Sequence, residues 1–347
     1  MPTDITRYQR QYLFPKIGEE GQKKISSSRV TLIGCGALGT VIANTLVRCG
    51  VEDIKIVDRD FVELNNLQRQ VLFNEDDVKN NLPKAVAAKE KLEKINSQAK
   101  IEAIVADANF SNIENLIEGV DLVLDGTDNF DVRYSINEAC VKHNIPWIYG
   151  GCVGDQGLTM VVIPKKTPCL SCYFQTAPPP ELTPTCDTAG ILSPIVNIVS
   201  SLQSMEAIKM LSGQADETTE GLFSFNVWDK KSRVFGNKQA IDPECPVCQK
   251  GNFEYLNGDK GMKTTTLCGR NAVQISRDEP TKIDFSIITE KLQPVGKVSS
   301  NAFLLKCELQ DSDQDYEITL FKDGRAIIKG TNDISRAKTI YSKYISI

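Results

Sequence analysis

Two constellations in this chain could do chemistry, one built of glycine and charge and the other of sulfur. The run Gly34-Cys35-Gly36-Ala37-Leu38-Gly39 directly follows the apolar stretch 29–33 and opens a helical pattern at 38–50. In such a run the first glycine permits a tight turn, the second lets backbone approach a phosphate, and the third allows close strand–helix packing. The helix N-terminus then attracts the anion. Asp58 closes the next apolar run, 53–58, where a carboxylate can accept hydrogen bonds from ribose hydroxyls. These residues specify a nucleotide with ribose and phosphates, and a nicotinamide dinucleotide would satisfy them equally well.

Three further features point away from hydride transfer. Residues 58–70, DRDFVELNNLQRQ, set Asp60, Asn66, Arg69 and Gln70 on a loop past the ribose-binding strand end. Lys84 stands beside Pro83 at the start of a helical pattern. Asp125-Gly126-Thr127-Asp128-Asn129 lies at the C-terminal end of another strand, the edge where doubly wound sheets bind ligands. Cations at Arg69 and Lys84 suit a triphosphate whose pyrophosphate must leave, and Asp128 suits a magnesium ion bridging phosphates.

The sulfur constellation is dense. Eleven cysteines accompany a single histidine, His143, so imidazole catalysis is mostly removed and any zinc site must be mostly sulfur. Cys169-Leu170-Ser171-Cys172 and Cys245-Pro246-Val247-Cys248 each form a chelating turn, and four thiolates make a closed tetrahedral zinc site. A redox CxxC is the competing use; two copies, each beside a proline, favour metal. Cys186 stands apart in the proline-rich run 176–188, expected as an exposed loop. Cys35, Cys49, Cys140, Cys152, Cys268 and Cys307 read as small buried residues.

These groups need a scaffold. From 29 to about 149, short apolar runs (29–33, 53–58, 100–107, 120–128) alternate with helical patterns (38–50, 82–96), which implies right-handed crossovers and a mostly parallel sheet covered on both faces. A helix opens at Ser193-Pro194 and runs to Gly213, followed by an antiparallel pair at 222–229 and 232–236. The fold class is α/β, a doubly wound, Rossmann-like sheet. The domain division expected is 1–253 for nucleotide binding and the cysteines, and 254–347 for a small α+β module. That module contains a hairpin turning at Asp323-Gly324 and a closing helix with Ile334, Ala337, Tyr341 and Tyr344 on one face. No CRxGxxS-type loop marks it as a rhodanese.

Composition narrows the classes. The chain has 347 residues and a net charge of −5, which offers no general field for a phosphate backbone, so nucleic acid is not an expected partner. The N-terminus lacks a signal-peptide pattern, and the apolar stretch 191–203 is broken by Ser, Pro and Asn well short of a membrane span; a cytoplasmic protein is expected.

Residues 7–11 (RYQRQ), 58–70, 82–96, 124–129 (LDGTDN), the two CxxC pairs and 185–190 (TCDTAG) together resemble the MoeB/ThiF family over about residues 5–250. These relatives of ubiquitin-activating enzymes adenylate the C-terminal glycine of small ubiquitin-like sulfur carriers. The resemblance implies that Gly34, Gly36 and Gly39 line ATP, with Asp58 on the ribose. Asn66, Arg69 and Lys84 would contact phosphates and the reacting carboxylate, and Asp128 would hold magnesium. Arg10 would reach the γ-phosphate from a neighbouring subunit, making a homodimer, and the four CxxC cysteines would bind structural zinc. Cys186 takes the position that in some members links covalently to the activated carrier. Position 65 is Asn where the family often has Ser. The implied activity is ATP-dependent adenylylation of a MoaD-like or ThiS-like carrier, in molybdopterin or thiamine-thiazole biosynthesis. The rivals are an NAD-dependent oxidoreductase and a non-catalytic nucleotide-sensing scaffold.

Overall fold

The computed structural model describes residues 5–176, 185–237, 240–260, 264–267, 271–275, 283–310 and 314–345. The chain divides into two compact units, Met1–Lys260 and Gly261–Ile347.

The first unit is built on one sheet of eight strands: β1 (Arg29–Ile33), β2 (Asp53–Val57), β3 (Lys100–Ile104), β4 (Leu122–Asp125), β5 (Trp147–Val153), β6 (Gln156–Val162), β7 (Leu222–Asn226) and β8 (Lys231–Phe235). Their order is β3-β2-β1-β4-β5-β6-β7-β8. The strands from β3 to β5 pair in parallel, as expected of a doubly wound sheet. From β5 to β8 the pairing is antiparallel. Side chains alternate between faces along a strand, and this sorts the unit's apolar residues into two cores. Leu32, Ile56 and Leu124 join one core, while their neighbours Ile33, Val57 and Val123 join the other. Helices Ala37–Cys49, Lys84–Ile95 and Ser193–Leu211 supply the first core, and Phe130–His143 supplies the second.

The β5–β6 hairpin has no counterpart in the sequence expectation. Its turn uses Gly154 at φ +60°, and Gly150 is required by packing, since a Cβ there would lie 2.3 Å from Gln203 Oε1. The division between units also falls later than residue 253. Residues 254–260 belong to the first unit because Tyr255 stacks on Tyr134, with ring centroids 4.7 Å apart, and Leu256 N donates to buried Glu138 at 2.8 Å.

The second unit is an antiparallel sheet of β9 (Thr264–Leu267), β10 (Ala272–Ile275), β11 (Gly296–Ser300), β12 (Leu304–Gln310), β13 (Asp315–Phe321) and β14 (Ala326–Lys329), in the order β11-β12-β13-β14-β10-β9. Helices Phe285–Leu292 and Ile334–Tyr344 supply the rest of its core, the latter burying Ala337, Ile340, Tyr341 and Tyr344. The expected turn glycine, Gly324, has φ +85°. Among the described residues, no helix of either unit is long and apolar enough to cross a membrane.

Candidate functional site

β1 lies between β2 and β4, so the winding direction reverses there and a crevice opens beyond the carboxyl ends of the strands. The glycine run occupies it. Gly34 has φ +88°, and a Cβ there would lie 2.7 Å from Gly126 C and O. At Gly39 a Cβ would lie 2.0 Å from Gly34 O. Both positions are therefore glycine because the protein itself fills the space. Gly36 differs: its nearest candidate neighbour is Gln70 Nε2, at 3.9 Å. The backbone is bare at Gly36 without a packing reason, which is the geometry of a cradle for a ligand phosphate. Gln70 beside it is 3% exposed, and its Oε1 is buried with no hydrogen-bond partner among the described residues.

Asp58 closes the loop from below. Its Oδ2 accepts from Cys35 N at 2.6 Å and its Oδ1 from Asp60 N at 2.7 Å. The carboxylate thus holds the glycine loop in place, a role additional to the ribose contact expected of it. Burial raises the Asp58 pKa, against the lowering pull of the Lys84 ammonium.

Part of the loop's charge gathers around Asp60, whose N–H donates to Asp58. Lys84, buried at the start of its helix, places Nζ 3.1 Å from Asp60 Oδ2. Arg59 bonds Asp107 Oδ1 through Nη1 at 3.0 Å, has Nε 3.8 Å from Asp60 Oδ1, and lies within electrostatic reach of Asp128. Asn66 is buried, accepting from Glu63 N at 3.0 Å and donating to Asn65 Oδ1 at 2.9 Å. Arg69 Nη1 donates to Asn65 O at 2.8 Å. Asp128 is exposed at the end of the β4 turn. Asn129 Oδ1 accepts from Asp131 N at 2.8 Å, capping helix Phe130–His143.

Arg10 is remote from this crevice in its own chain. Arg7 bonds Ile95 O at 2.9 Å, Asn96 bonds Tyr8 Oη at 2.9 Å, and Gln11 bonds Cys49 O at 2.9 Å. Those acceptors and donors lie at the C-terminal ends of the helices whose N-terminal ends carry Lys84 and Gly36. The 12-residue helix between Lys84 and Ile95 puts roughly 18 Å between them.

The four CxxC cysteines meet. Cys169 Sγ is 3.9 Å from Cys172 Sγ and 3.6 Å from Cys245 Sγ, and Cys172 Sγ is 3.5 Å from Cys248 Sγ. A tetrahedron of sulfurs about 2.3 Å from a central zinc has edges of about 3.8 Å, so the cluster has the right size. Cys186 departs from the exposed loop expected for 176–188. It begins a helical turn, Cys186–Ala189, is half-buried, and its Sγ donates to Cys152 O at 3.4 Å. Burial, with Cys186 nearby, pushes the Cys152 thiol up to about 12. Residues 177–184 of that run, and Cys268, lie outside the described residues.

The ThiF family's sequence profile matches residues 8–247. The chain belongs to the ThiF family. The sulfur carrier protein ThiS adenylyltransferase of Bacillus subtilis is 44% identical over 340 residues, 98% of this chain and 99% of that protein. The protein of the same name from Escherichia coli is 37% identical over 255 residues, 72% of this chain but 98% of its own length. The E. coli match leaves about a quarter of this chain uncovered, whereas the B. subtilis match runs through nearly the whole chain. Among solved structures, E. coli MccB shares the fold, with a TM-score of 0.63 at 24% identity over 71% of this chain and 73% of that one.

Sequence reasoning missed two arginines in this part of the fold. Arg133, 6% exposed, reaches back from the first turn of its helix, bonding Asp125 Oδ2 through Nε at 3.1 Å and Thr127 O and Gly150 O through Nη2 at 2.6 and 3.0 Å. Asp125 is fully buried; burial raises its pKa, and the Arg133 charge opposes that. The only signal for the pair was spacing, an arginine eight residues after an aspartate that ends a strand. Arg59 was likewise passed over inside the quoted loop.

Proposed function

We propose that this protein is an ATP-dependent adenylyltransferase acting on the C-terminal glycine of a ubiquitin-like sulfur carrier of the ThiS or MoaD type. The observation that carries the reading is the open backbone at Gly36, beside the orphaned Gln70 Oε1, in the crevice that also collects Lys84 and Arg59. Packing explains Gly34 and Gly39 but not Gly36, and the group that fits there is a phosphate. The near-full-length match to the B. subtilis enzyme supports the carrier as substrate.

The carrier carboxylate attacks the α-phosphorus of ATP, its bond to the β-phosphate oxygen breaks, and pyrophosphate leaves. Two anions must approach and charge grows on the leaving group, so the residues supply position and positive charge more than proton transfer. Gly36 and the helix N-terminus behind it hold phosphate, Lys84 and Arg69 oppose the growing charge, and Asp58 and Gln70 orient the nucleoside end and the loop. Asp128 is an exposed carboxylate suited to magnesium, which when bound neutralises phosphate charge. The four thiolates suit zinc, which would tie the 169–172 turn to the 245–248 turn. Arg10, far from its own crevice, supports a homodimer in which it serves a second copy's site. In this reading Cys186 takes the acyl group from the adenylate, forming a thioester and releasing AMP, with the thiol proton passing to solvent.

Carrier-dependent exchange of pyrophosphate into ATP tests the reading. Wild-type enzyme should exchange only with carrier present, and Arg69→Ala and Asp128→Ala should lose exchange while remaining folded. An oxidoreductase or a scaffold would exchange with neither; wild-type protein that binds NAD tightly and never exchanges would reject the proposal.

A further inference from the structure

The buried arginine that sequence reasoning missed is tied to the site through backbone. Arg133 holds the carbonyl of Thr127, which belongs to the peptide leading into Asp128. The same guanidinium holds the Asp125 carboxylate and the carbonyl of Gly150 on β5. The other Asp125 oxygen accepts from Thr127 N at 2.8 Å and Thr127 Oγ1 at 2.7 Å. A second helix enters the network: Gln203 Nε2 donates to Asp125 O at 2.8 Å. The guanidinium is packed between the Phe130 and Tyr149 rings, each centroid 5.3 Å away. The turn from Asp125 to Asp128 is therefore fixed at both ends and from two helices.

Such an arrangement is costly if stability is its only product. A buried ion pair returns little net free energy against well-packed apolar residues, because both charges lose their hydration. What it returns here is direction, since a planar fork can hold a carboxylate and two carbonyls at once while an ammonium cannot. Groups that orient a metal-binding residue without touching the metal commonly govern metal affinity.

We propose that Arg133 is a positioning residue for adenylation: by locking the Asp125–Thr127 turn it presents the Asp128 carboxylate to magnesium bound with ATP. This rests on the assignment of Asp128 to magnesium under the proposed function. Lysine at 133 keeps the charge but loses the fork, so the turn relaxes and the magnesium contribution falls by about 10- to 100-fold. Thr127→Val removes one of the two bonds to Asp125 from a partly exposed position and acts in the same direction with a smaller effect.

Calorimetric binding of a non-hydrolysable ATP analogue to the full chain, with and without magnesium, is the test. In wild-type protein magnesium should tighten binding, and Asp128→Ala should abolish that gain. Arg133→Lys should lose most of the gain and leave magnesium-free affinity unchanged. The magnesium concentration for half-maximal exchange should rise in parallel, with rate recovered at high magnesium. A merely structural role would lower the melting temperature and leave the magnesium requirement alone. If Arg133→Lys fails to fold, Thr127→Val decides by the same two readouts. A wild-type magnesium gain in both variants, with the gain lost in Asp128→Ala, overturns the inference alone. A gain that survives Asp128→Ala overturns the magnesium assignment itself, and the inference with it.

Discussion

The glycine run contains its own internal control, because two of its members are glycine for the protein's sake and one is not. Gly39→Ala would put a methyl 2.0 Å from Gly34 O, backbone against backbone, with no flexible side chain to yield. Overpacking of that kind costs about 1–3 kcal/mol or more. For a folding unit of this size each kcal/mol lowers the melting temperature by about 2–4 °C, so a fall of roughly 2–12 °C follows. Gly36→Ala meets only Gln70 Nε2 at 3.9 Å, which is ordinary contact. With no backbone clash to relieve, it should lose less stability than Gly39→Ala.

Ligand affinity should respond at the position where stability responds less. A methyl at Gly36 projects where phosphate is expected, and the same 1–3 kcal/mol of overlap converts to a loss of about 5- to 150-fold in affinity. Thermal melts of the ligand-free variants and calorimetry with a non-hydrolysable ATP analogue and magnesium separate the two effects. Gly36→Ala that binds the analogue as tightly as wild type would refute the reasoning, since the bare backbone would then serve neither packing nor ligand.

Further outcomes follow from the cysteines and from one buried carboxyl. Purified protein should carry close to one zinc per chain; Cys172→Ser should lose it and melt lower by about 10 °C or more, and intact protein without zinc that melts like the variant would remove the metal. Incubation with carrier and ATP should give a covalent adduct by intact mass that is absent in Cys186→Ala; a Cys186→Ala enzyme supporting full sulfur transfer would retire the nucleophile. Burial raises the Glu138 carboxyl to about 7, against the opposing backbone donors of Leu256 and Tyr255, while the unfolded chain titrates near the ordinary glutamate value. The folded state therefore binds the extra proton, so this stabilising contribution is full below about pH 4.5 and is lost as pH rises through about 7. Glu138→Gln should flatten melting temperature against pH across that window, and an unchanged profile would show that Glu138 is not its source.

Legibility in the sequence tracked the range of the interactions involved. β1 and β4 were readable because strands buried on both faces are nearly continuous apolar runs, β2 and edge strand β3 because their apolar residues alternate, and the glycine run sat between strand and helix where a phosphate loop belongs. The β5–β6 hairpin was not, because Gly150 and Gly151 interrupt the run and Gly150 answers to Gln203, more than fifty residues later. Asn129 was read only as a ligand contact, and the sequence reading left out the purely local task of its side-chain oxygen, which caps a helix. Tyr255 and Leu256 fell on the wrong side of the domain boundary because their partners, Tyr134 and Glu138, lie more than a hundred residues upstream. The cysteine cluster was legible despite a separation of 76 residues, since each half announces itself as a local chelating turn.

The ion pairs of the crevice decide which substitutions report on function and which on folding. Lys84 is paired with Asp60, Arg59 with Asp107, and Arg133 with Asp125, each with at least one partner largely buried. Removing one member of such a pair leaves the other charge uncompensated, and the resulting loss of stability can exceed any effect on chemistry. Lys84→Met is therefore an ambiguous experiment: lost exchange could mean a missing phosphate contact or a displaced Asp60 and, through it, a displaced glycine loop. Arg69 is different. Among the described residues its guanidinium bonds a backbone carbonyl and no carboxylate sits at ion-pair distance, so its truncation strands no charge. Asp128 is exposed and can lose its carboxylate at little cost in folding. Of Lys84, Arg59 and Arg69, Arg69 has the charge least neutralised before ligand arrives, so its proposed contribution should be the most sensitive to salt. A measured salt dependence of ATP binding that is the same in wild type and Arg69→Ala would place the attracting charge elsewhere in the crevice.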